Sequence, residues 1–149
     1  MTTAEIGNIV KEFENDFNVR LSIMHGKRII YDGKTKVGTS VVVVMPASKI
    51  YGKGNGWVDF TKIQIDIFKQ HKIAIAAFRL SDGLTYYVDM QSLYPLLTQQ
   101  NMMENDREGE HWKLDVWPNR IVIRNGGETL YVKPNDKQFI SQLVYSKSV

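Results

Sequence analysis

The chain has 149 residues and a net charge of +3; 43% of its residues are hydrophobic and 23% are charged. This length fits one domain that buries roughly 68–70% of its unfolded surface, and the composition excludes an intrinsically disordered chain. The absence of cysteine excludes disulfides, a thiolate nucleophile and sulfur-ligated metal sites. We therefore expect a single domain over residues 1–149 in a reducing compartment.

The amino-terminal segment and the apolar runs predict neither export nor a membrane span. Residues 1–17 carry acids where a secretory signal has a basic region and an apolar core. The longest apolar runs are far too short to cross a bilayer. A cytoplasmic protein with no membrane partner is expected.

The first element along the chain is an amphipathic helix, predicted over roughly residues 3–16. The apolar residues that share its face are Ile6, Ile9, Val10, Phe13 and Phe17. Two strands follow at 19–24 and 27–32, and residues 33–38 form a turn. The chain thus begins with a helix and a pair of strands.

Residues 41–45 read Val-Val-Val-Val-Met and predict a third strand. Alternate residues of a strand point to opposite faces, so this strand is apolar on both faces and belongs in the interior of a sheet. Pro46 cannot donate to a strand ladder and ends the strand.

The middle of the chain predicts a helix at 59–69, because its apolar residues share one helical face. The glycine-rich stretch 52–56 precedes this helix, where backbone N–H groups can hold a phosphate. A strand at 72–80, a second strand at 84–90 and a short helix at 91–99 complete this part.

Residues 101–110 form the most polar segment and predict a long exposed loop. Beyond it, 111–117, 120–124 and 128–133 predict an antiparallel meander, followed by a helix from about Asp136.

This order of elements indicates an α/β (α+β) fold in a single domain. An αβββαβ core occupies residues 3–90, and a C-terminal antiparallel β-meander with a terminal helix occupies residues 111–149.

Positive charge is concentrated between residues 20 and 53, where seven basic residues face a single acid and give a net charge of +6. Such a cluster indicates a surface for a phosphate backbone, and solvated lysines that block strand aggregation are the alternative. The predicted nucleic-acid-binding residues are Arg20, Lys27, Arg28, Lys34, Lys36, Lys49 and Lys53. Tyr31, Tyr51 and Trp57 are interleaved with this segment and can stack on bases or pack in the core.

The αβββαβ order and one acid resemble the core of the PD-(D/E)XK nuclease superfamily, the restriction-endonuclease fold that some homing endonucleases share. The resemblance covers residues 3–80. It implies a magnesium-dependent endonuclease that binds double-stranded DNA as a dimer or tetramer. Asp32, at the end of the second strand, matches the first acid of the family. The third strand, 41–45, departs from the family because it lacks the acid-x-lysine pair.

The resemblance therefore requires other residues to supply that pair. The predicted Mg²⁺ ligands are Asp32, Asp59 and Asp66, the last two on the following helix. The predicted catalytic residues are Asp32, Lys34, Lys49 and Asp59, in which a lysine stabilises the developing charge. Alternatively, Asp16 is the first acid and Asp32-Gly33-Lys34 is the acid-x-lysine, or the protein is an inactive relative that only binds DNA.

Other classes of protein fit parts of the sequence. A non-enzymatic interaction protein of phage or plasmid type would bind a host protein through the acidic region 101–115. Residues 3–70 also follow the element order of a double-stranded-RNA-binding domain. His111, Lys113 and Asp115 share one strand face, a row that suits acid–base work, base contacts or the wet face of a half-buried sheet.

Overall fold

The computed structural model describes residues 2–146, in which the chain forms four α-helices and eleven β-strands. The helices are α1 (Ile6–Phe17), α2 (Lys62–Lys69), α3 (Met90–Leu93) and α4 (Gln138–Ser146). The strands are β1 (Ser22–Ile23), β2 (Ile30–Lys34), β3 (Ser40–Val44), β4 (Ala47–Ser48), β5 (Gly56–Thr61), β6 (Ile73–Leu80), β7 (Thr85–Asp89), β8 (Met103–Asn105), β9 (Gly109–Trp117), β10 (Arg120–Ile123) and β11 (Thr129–Tyr131). This content confirms the predicted α+β class.

The first sheet contains six of the described strands and holds the valine run in its interior. β1, β2 and β3 are antiparallel neighbours, β3 is parallel to β6, and β7 is antiparallel on the other side of β6. β4 continues the path of β3 beside β6. The four valines 41–44 are each at most 1% exposed, which confirms a strand buried on both faces.

The second sheet contains the other five described strands, with β5, β9, β10 and β11 in that order and β8 also beside β9. All its pairs are antiparallel. The β5–β9 pairing joins the first half of the chain to the second half. The segments 3–90 and 111–149 are therefore interleaved in this sheet.

The two sheets pack face to face over one large apolar cluster. Alternate residues of β3 and β6 meet alternate residues of β5 and β9, and α2 adds Ile65 and Phe68 to this core. The opposite face of the first sheet is covered by apolar residues of α1 and α4. The layers are therefore α1 with α4, then the first sheet, then the second sheet, because each apolar face needs a partner layer.

Three predictions about the elements were wrong. The helix predicted at 59–69 begins only at Lys62, because residues 59–61 belong to β5. Consequently the glycine-rich stretch 52–56 leads into a strand and offers no helix N-terminus. Residues 103–105 and 109–117 form a hairpin where a loop was predicted over 101–110.

The second strand also differs from its predicted bounds. β2 extends to Lys34 instead of ending at Asp32, so that Asp32 lies in the middle of the strand. Gly33 pairs with Val41 in the strand ladder, and a side chain is excluded there because the backbone oxygen of Arg20 lies 2.3 Å from an ideal Cβ. No helix in residues 2–146 is long and apolar enough to cross a membrane.

Candidate nucleic-acid interface

One side of the second sheet faces away from the first sheet, and we call it the outer face. Even-numbered residues of β5 and, from Trp112 onward, of β9 are buried in the core, whereas the odd-numbered residues stay at least partly exposed, apart from His111. In β10 the parity is reversed, because the register pairs Val122 with Asp115. The side chains that define the outer face are Trp57, Asp59, Lys113, Asp115, Trp117, Arg120 and Arg124.

Cations lie against the two tryptophan rings of the outer face. The Lys113 Nζ atom is 4.6 Å from the centroid of the Trp57 ring, and the Arg124 Cζ atom is 5.5 Å from it. The Arg120 Cζ atom is 5.3 Å from the centroid of the Trp117 ring. Cations at these distances are attracted by the ring quadrupole. The aromatic rings of the outer face therefore lie beside cationic groups, two of which, Lys113 and Arg124, also pair with carboxylates.

Asp115 holds the centre of the outer face in place. Its carboxylate accepts hydrogen bonds from Arg124 Nε and Nη2, at 2.9 and 2.8 Å. It also accepts one from the Asn55 side-chain amide at 2.9 Å. The hydrogen bond from Arg124 to Asp115 raises the pKa of Arg124, so the guanidinium stays charged. This network fixes the β4–β5 loop and Arg124 relative to Trp57.

A second polar cluster lies at one end of the outer face, beside Asp59 and Lys113. Lys113 Nζ is 3.3 and 3.4 Å from the two carboxylate oxygens of Asp59. Burial raises the pKa of Asp59, and its hydrogen bond to Glu108 raises this pKa further, whereas Lys113 opposes both effects. The same hydrogen bond lowers the pKa of Glu108. Asp59 therefore takes up a proton more readily than Glu108 does.

His111 adjoins this cluster and is 1% exposed. Its Nδ1 atom is 2.8 Å from the carbonyl oxygen of Gly109, which requires a proton on Nδ1. Its Nε2 atom makes no hydrogen bond within residues 2–146 and lies 3.7 Å from Glu108 Oε2. The predicted row of His111, Lys113 and Asp115 is thus confirmed on one face, although His111 is buried.

The predicted magnesium ligands lie in three different places. Asp32 Oδ2 is 3.3 Å from His71 Nε2, and Asp59 pairs with Lys113 on the outer face. Asp66 pairs with its neighbour on α2, Lys62, at 3.2 Å. Among residues 2–146, no group of three or more His, Asp or Glu side chains could hold a metal ion. These carboxylates do not fit one shared Mg²⁺ ion, and Asp59 lies on a strand where a helix was predicted.

Of the other predicted catalytic residues, Lys34 lies near Asp32 and Lys49 lies in a different element. Lys34 ends β2 on the same side as Asp32, and Lys49 is exposed in the β4–β5 loop. Asp16, the first acid of the alternative set, is exposed on α1. Because α1 covers the face of the first sheet opposite to Asp32, these two acids do not share a site. Magnesium-dependent cleavage stays a prediction.

The basic residues of the segment 20–53 divide between two ends of the first sheet. The first group consists of Lys27, Arg28, Lys49 and Lys53, and the second of Arg20, Lys34 and Lys36. The register Ile30–Val44 brings the start of β2 beside the end of β3, which places the first group together. In the second group, Arg20 is held by Glu14 at 3.1 Å. Within the first group, Lys49 and Lys53 line cavities next to the outer face.

Sequence reasoning missed Asn55, Trp117, Arg120 and Arg124. A signal was present for three of them, because the polar alternation in 111–117 ends at Trp117, and Arg120 and Arg124 alternate with the buried residues of β10. Asn55 gave no local signal, since its role depends on contact with Asp115, 60 residues away.

Comparison with protein-family models, curated proteins and solved structures gives no match to this chain. The resemblance to the PD-(D/E)XK superfamily stays a prediction.

Proposed function

We propose that the protein binds single-stranded nucleic acid on the outer face. The observation that carries this proposal is the combination of Trp57 and Trp117 with ring-stacked cations, next to two lysines without ion pairs. Lys49 and Lys53 make no salt bridge within the described part of the chain. Aromatic side chains stack on bases while a positively charged groove follows the backbone.

Unpaired bases suit this surface better than a duplex does. Stacking on Trp57, Trp117 or Tyr51 requires a free base plane, and the bases of a duplex are already stacked on each other. Tyr51 is 47% exposed beside Trp57, so its ring is accessible. Double-stranded DNA, the partner predicted from the sequence, is therefore a competitor in the test.

The proposal is limited to binding. The carboxylates predicted to bind Mg²⁺ pair separately with His71, Lys113 and Lys62, and no step of phosphodiester hydrolysis follows from that arrangement. A cytoplasmic location and a dimer or tetramer accompany the proposal as predictions. Sedimentation analysis of the purified protein tests the oligomeric state.

The experiment is an anisotropy titration of a labelled oligothymidylate of about 12 nucleotides, within the range of sites for single-strand binders. We expect affinity that falls with salt by a slope of about −0.7 per phosphate contact. Trp57→Ala should weaken binding by about 1–3 kcal/mol, or roughly 5- to 150-fold. Tyr145→Ala serves as the control, because Tyr145 is an exposed aromatic on α4, beyond the first sheet.

Urea unfolding of each variant is measured in parallel to show that the fold is retained. Salt-independent binding, or equal affinity for wild type and Trp57→Ala, contradicts the proposal. Tighter binding to the duplex of the same length contradicts the assignment to single strands.

A further inference from the structure

Two neighbouring cavities at the edge of the outer face share one wall. The Lys53 cavity has a volume of about 510 Å³ and the Lys49 cavity about 470 Å³. Tyr51 and Trp57 line both cavities. Each volume lies within the range of roughly 300–1,000 Å³ that small-molecule sites occupy.

Each cavity combines the shared aromatic wall with one unpaired cation. Lys53 lines the first cavity together with Trp117 and Arg124. Lys49 lines the second beside Ser48 and Asp59, whose carboxylate pairs with Lys113. Neither lysine has an ion-pair partner among residues 2–146. An aromatic plane next to a free ammonium group matches a nucleotide, which has a base plane and a phosphate.

The shared wall is held by the backbone. The Tyr51 N–H donates to the Asn55 carbonyl and the Gly54 N–H donates to the Tyr51 carbonyl, both at 2.8 Å. Gly54 has φ = +95°, a conformation that side chains disfavour, and this closes the tight turn. The Trp57 N–H donates to Ser48 Oγ at 2.9 Å. A wall fixed before binding lowers the ordering cost of the complex.

The polar groups on the floor of the Lys53 cavity are already paired. Asp115 accepts its hydrogen bonds from Arg124 and Asn55, so its carboxylate is occupied by protein donors. Polar groups that are already hydrogen-bonded within the protein do not select one base over another. Base specificity arises when buried polar groups need the ligand as their hydrogen-bond partner. Recognition in this cavity therefore rests on stacking and on charge.

We propose that two consecutive nucleotides of a single strand occupy the two cavities, one on each side of the wall formed by Tyr51 and Trp57. Lys53 contacts the phosphate of one nucleotide and Lys49 the phosphate of the next. The arrangement tolerates different bases. This inference rests on the proposed function and adds where two consecutive nucleotides of the nucleic-acid strand bind within the site.

The test measures the salt dependence of oligothymidylate affinity for Lys49→Gln, Lys53→Gln and the double variant. Each single substitution should reduce the slope of log affinity against log salt by about 0.7, and the double substitution by about 1.4. Lys11→Gln is the matched control, because Lys11 is exposed on α1, beyond the first sheet, and its slope should equal that of the wild type.

The outcomes separate this inference from the proposed function. A wild type without salt-dependent affinity overturns the proposed function and this inference with it. A wild type that binds, with unchanged slopes in both single variants, overturns only the two-nucleotide register. A double variant that equals the single variants shows one shared phosphate and overturns it as well, since separate contacts add. An equal reduction of the salt slope in Lys11→Gln shows a general effect of net charge and also overturns the two-nucleotide register.

Discussion

The first sheet is buried on both sides of β3, whereas the second sheet is buried only at alternate positions of β5 and β9. In the first sheet, helices and the second sheet cover both faces, and consecutive residues are apolar. In the second sheet, charged and aromatic residues alternate with the apolar ones. The second sheet has a solvent-exposed face, so its polar and aromatic side chains can contact a ligand. The first sheet is covered on both faces and contributes mainly to the stability of the fold.

Substitutions on the two sides of the second sheet should differ in their effect on the free energy of unfolding, and the largest effect is expected in β5. Phe60 is fully buried and contacts Phe68 edge-on, with ring centroids 5.6 Å apart. Phe60→Ala should lower the free energy of unfolding by about 3–5 kcal/mol because it leaves a cavity between the sheets. Val122→Ala, on the outer side of β10, should cost about 1 kcal/mol or less. Equal losses in urea unfolding would contradict the assignment of inner and outer sides.

Glycine-to-alanine substitutions test how closely the backbone segments pack against each other around the first sheet. An added Cβ at Gly33 would lie 2.3 Å from the Arg20 carbonyl oxygen, so Gly33→Ala should destabilise the protein by about 1–3 kcal/mol. Gly7 lies within α1 and has no atom within 4 Å of such a Cβ. Gly7→Ala should therefore stabilise by about 0.5–1 kcal/mol. Thermal or urea unfolding measures both signs, and a shift of the same sign in both variants would contradict this packing.

The polar network of the outer face should contribute less to the free energy of unfolding than the apolar core does. Asp115→Asn removes the negative charge that pairs with Arg124, at a position whose carboxylate is 16% exposed. We expect a loss of about 1–1.5 kcal/mol in urea unfolding, since partly exposed charged hydrogen bonds are modest. Arg120→Gln is the comparison, because its contact with Trp117 involves no salt bridge among the described residues. A larger loss in Arg120→Gln would show that Asp115 does not organise this face.

The smallest effect concerns pH. The pKa of Asp59 is raised above its ordinary value of 3.8, so the folded protein binds more protons than the unfolded chain just above that pH. Stability from this group is complete below 3.8 and is lost as pH rises through the folded pKa. Asp59→Asn keeps a donor for Glu108 and removes this titration. The variant should gain stability relative to the wild type with rising pH, and parallel stability curves would contradict the direction.

Local patterns predicted the elements whose signal lies within a few residues. The valine run, the alternation in β9 and the apolar face of α1 were predicted correctly because burial follows strand and helix periodicity. The start of α2 also had a local signal that was not used. Thr61 and Gln64 form a capping box, with side-chain to backbone distances of 3.1 and 2.9 Å.

The site was only partly predictable because it depends on pairings between distant parts of the chain. Lys53 and Trp57 come from one half, and Asp115 and Arg124 come from the other. Their proximity follows from the β5–β9 and β9–β10 registers. Charge counting along the sequence placed Arg20 and Lys53 in one cluster, whereas the fold separates them to opposite ends of the first sheet. Linear charge patterns do not encode that separation.

The most direct test of the outer face uses the three tryptophans of the chain. Trp57 and Trp117 lie on the outer face, whereas Trp112 is 6% exposed in the core and donates to the Thr98 carbonyl at 2.9 Å. Titration with oligothymidylate should quench the fluorescence of the wild type and of Trp112→Phe. It should leave that of the double variant Trp57→Phe, Trp117→Phe unchanged. Quenching that persists in the double variant, or that is absent from the wild type, would contradict binding at the outer face.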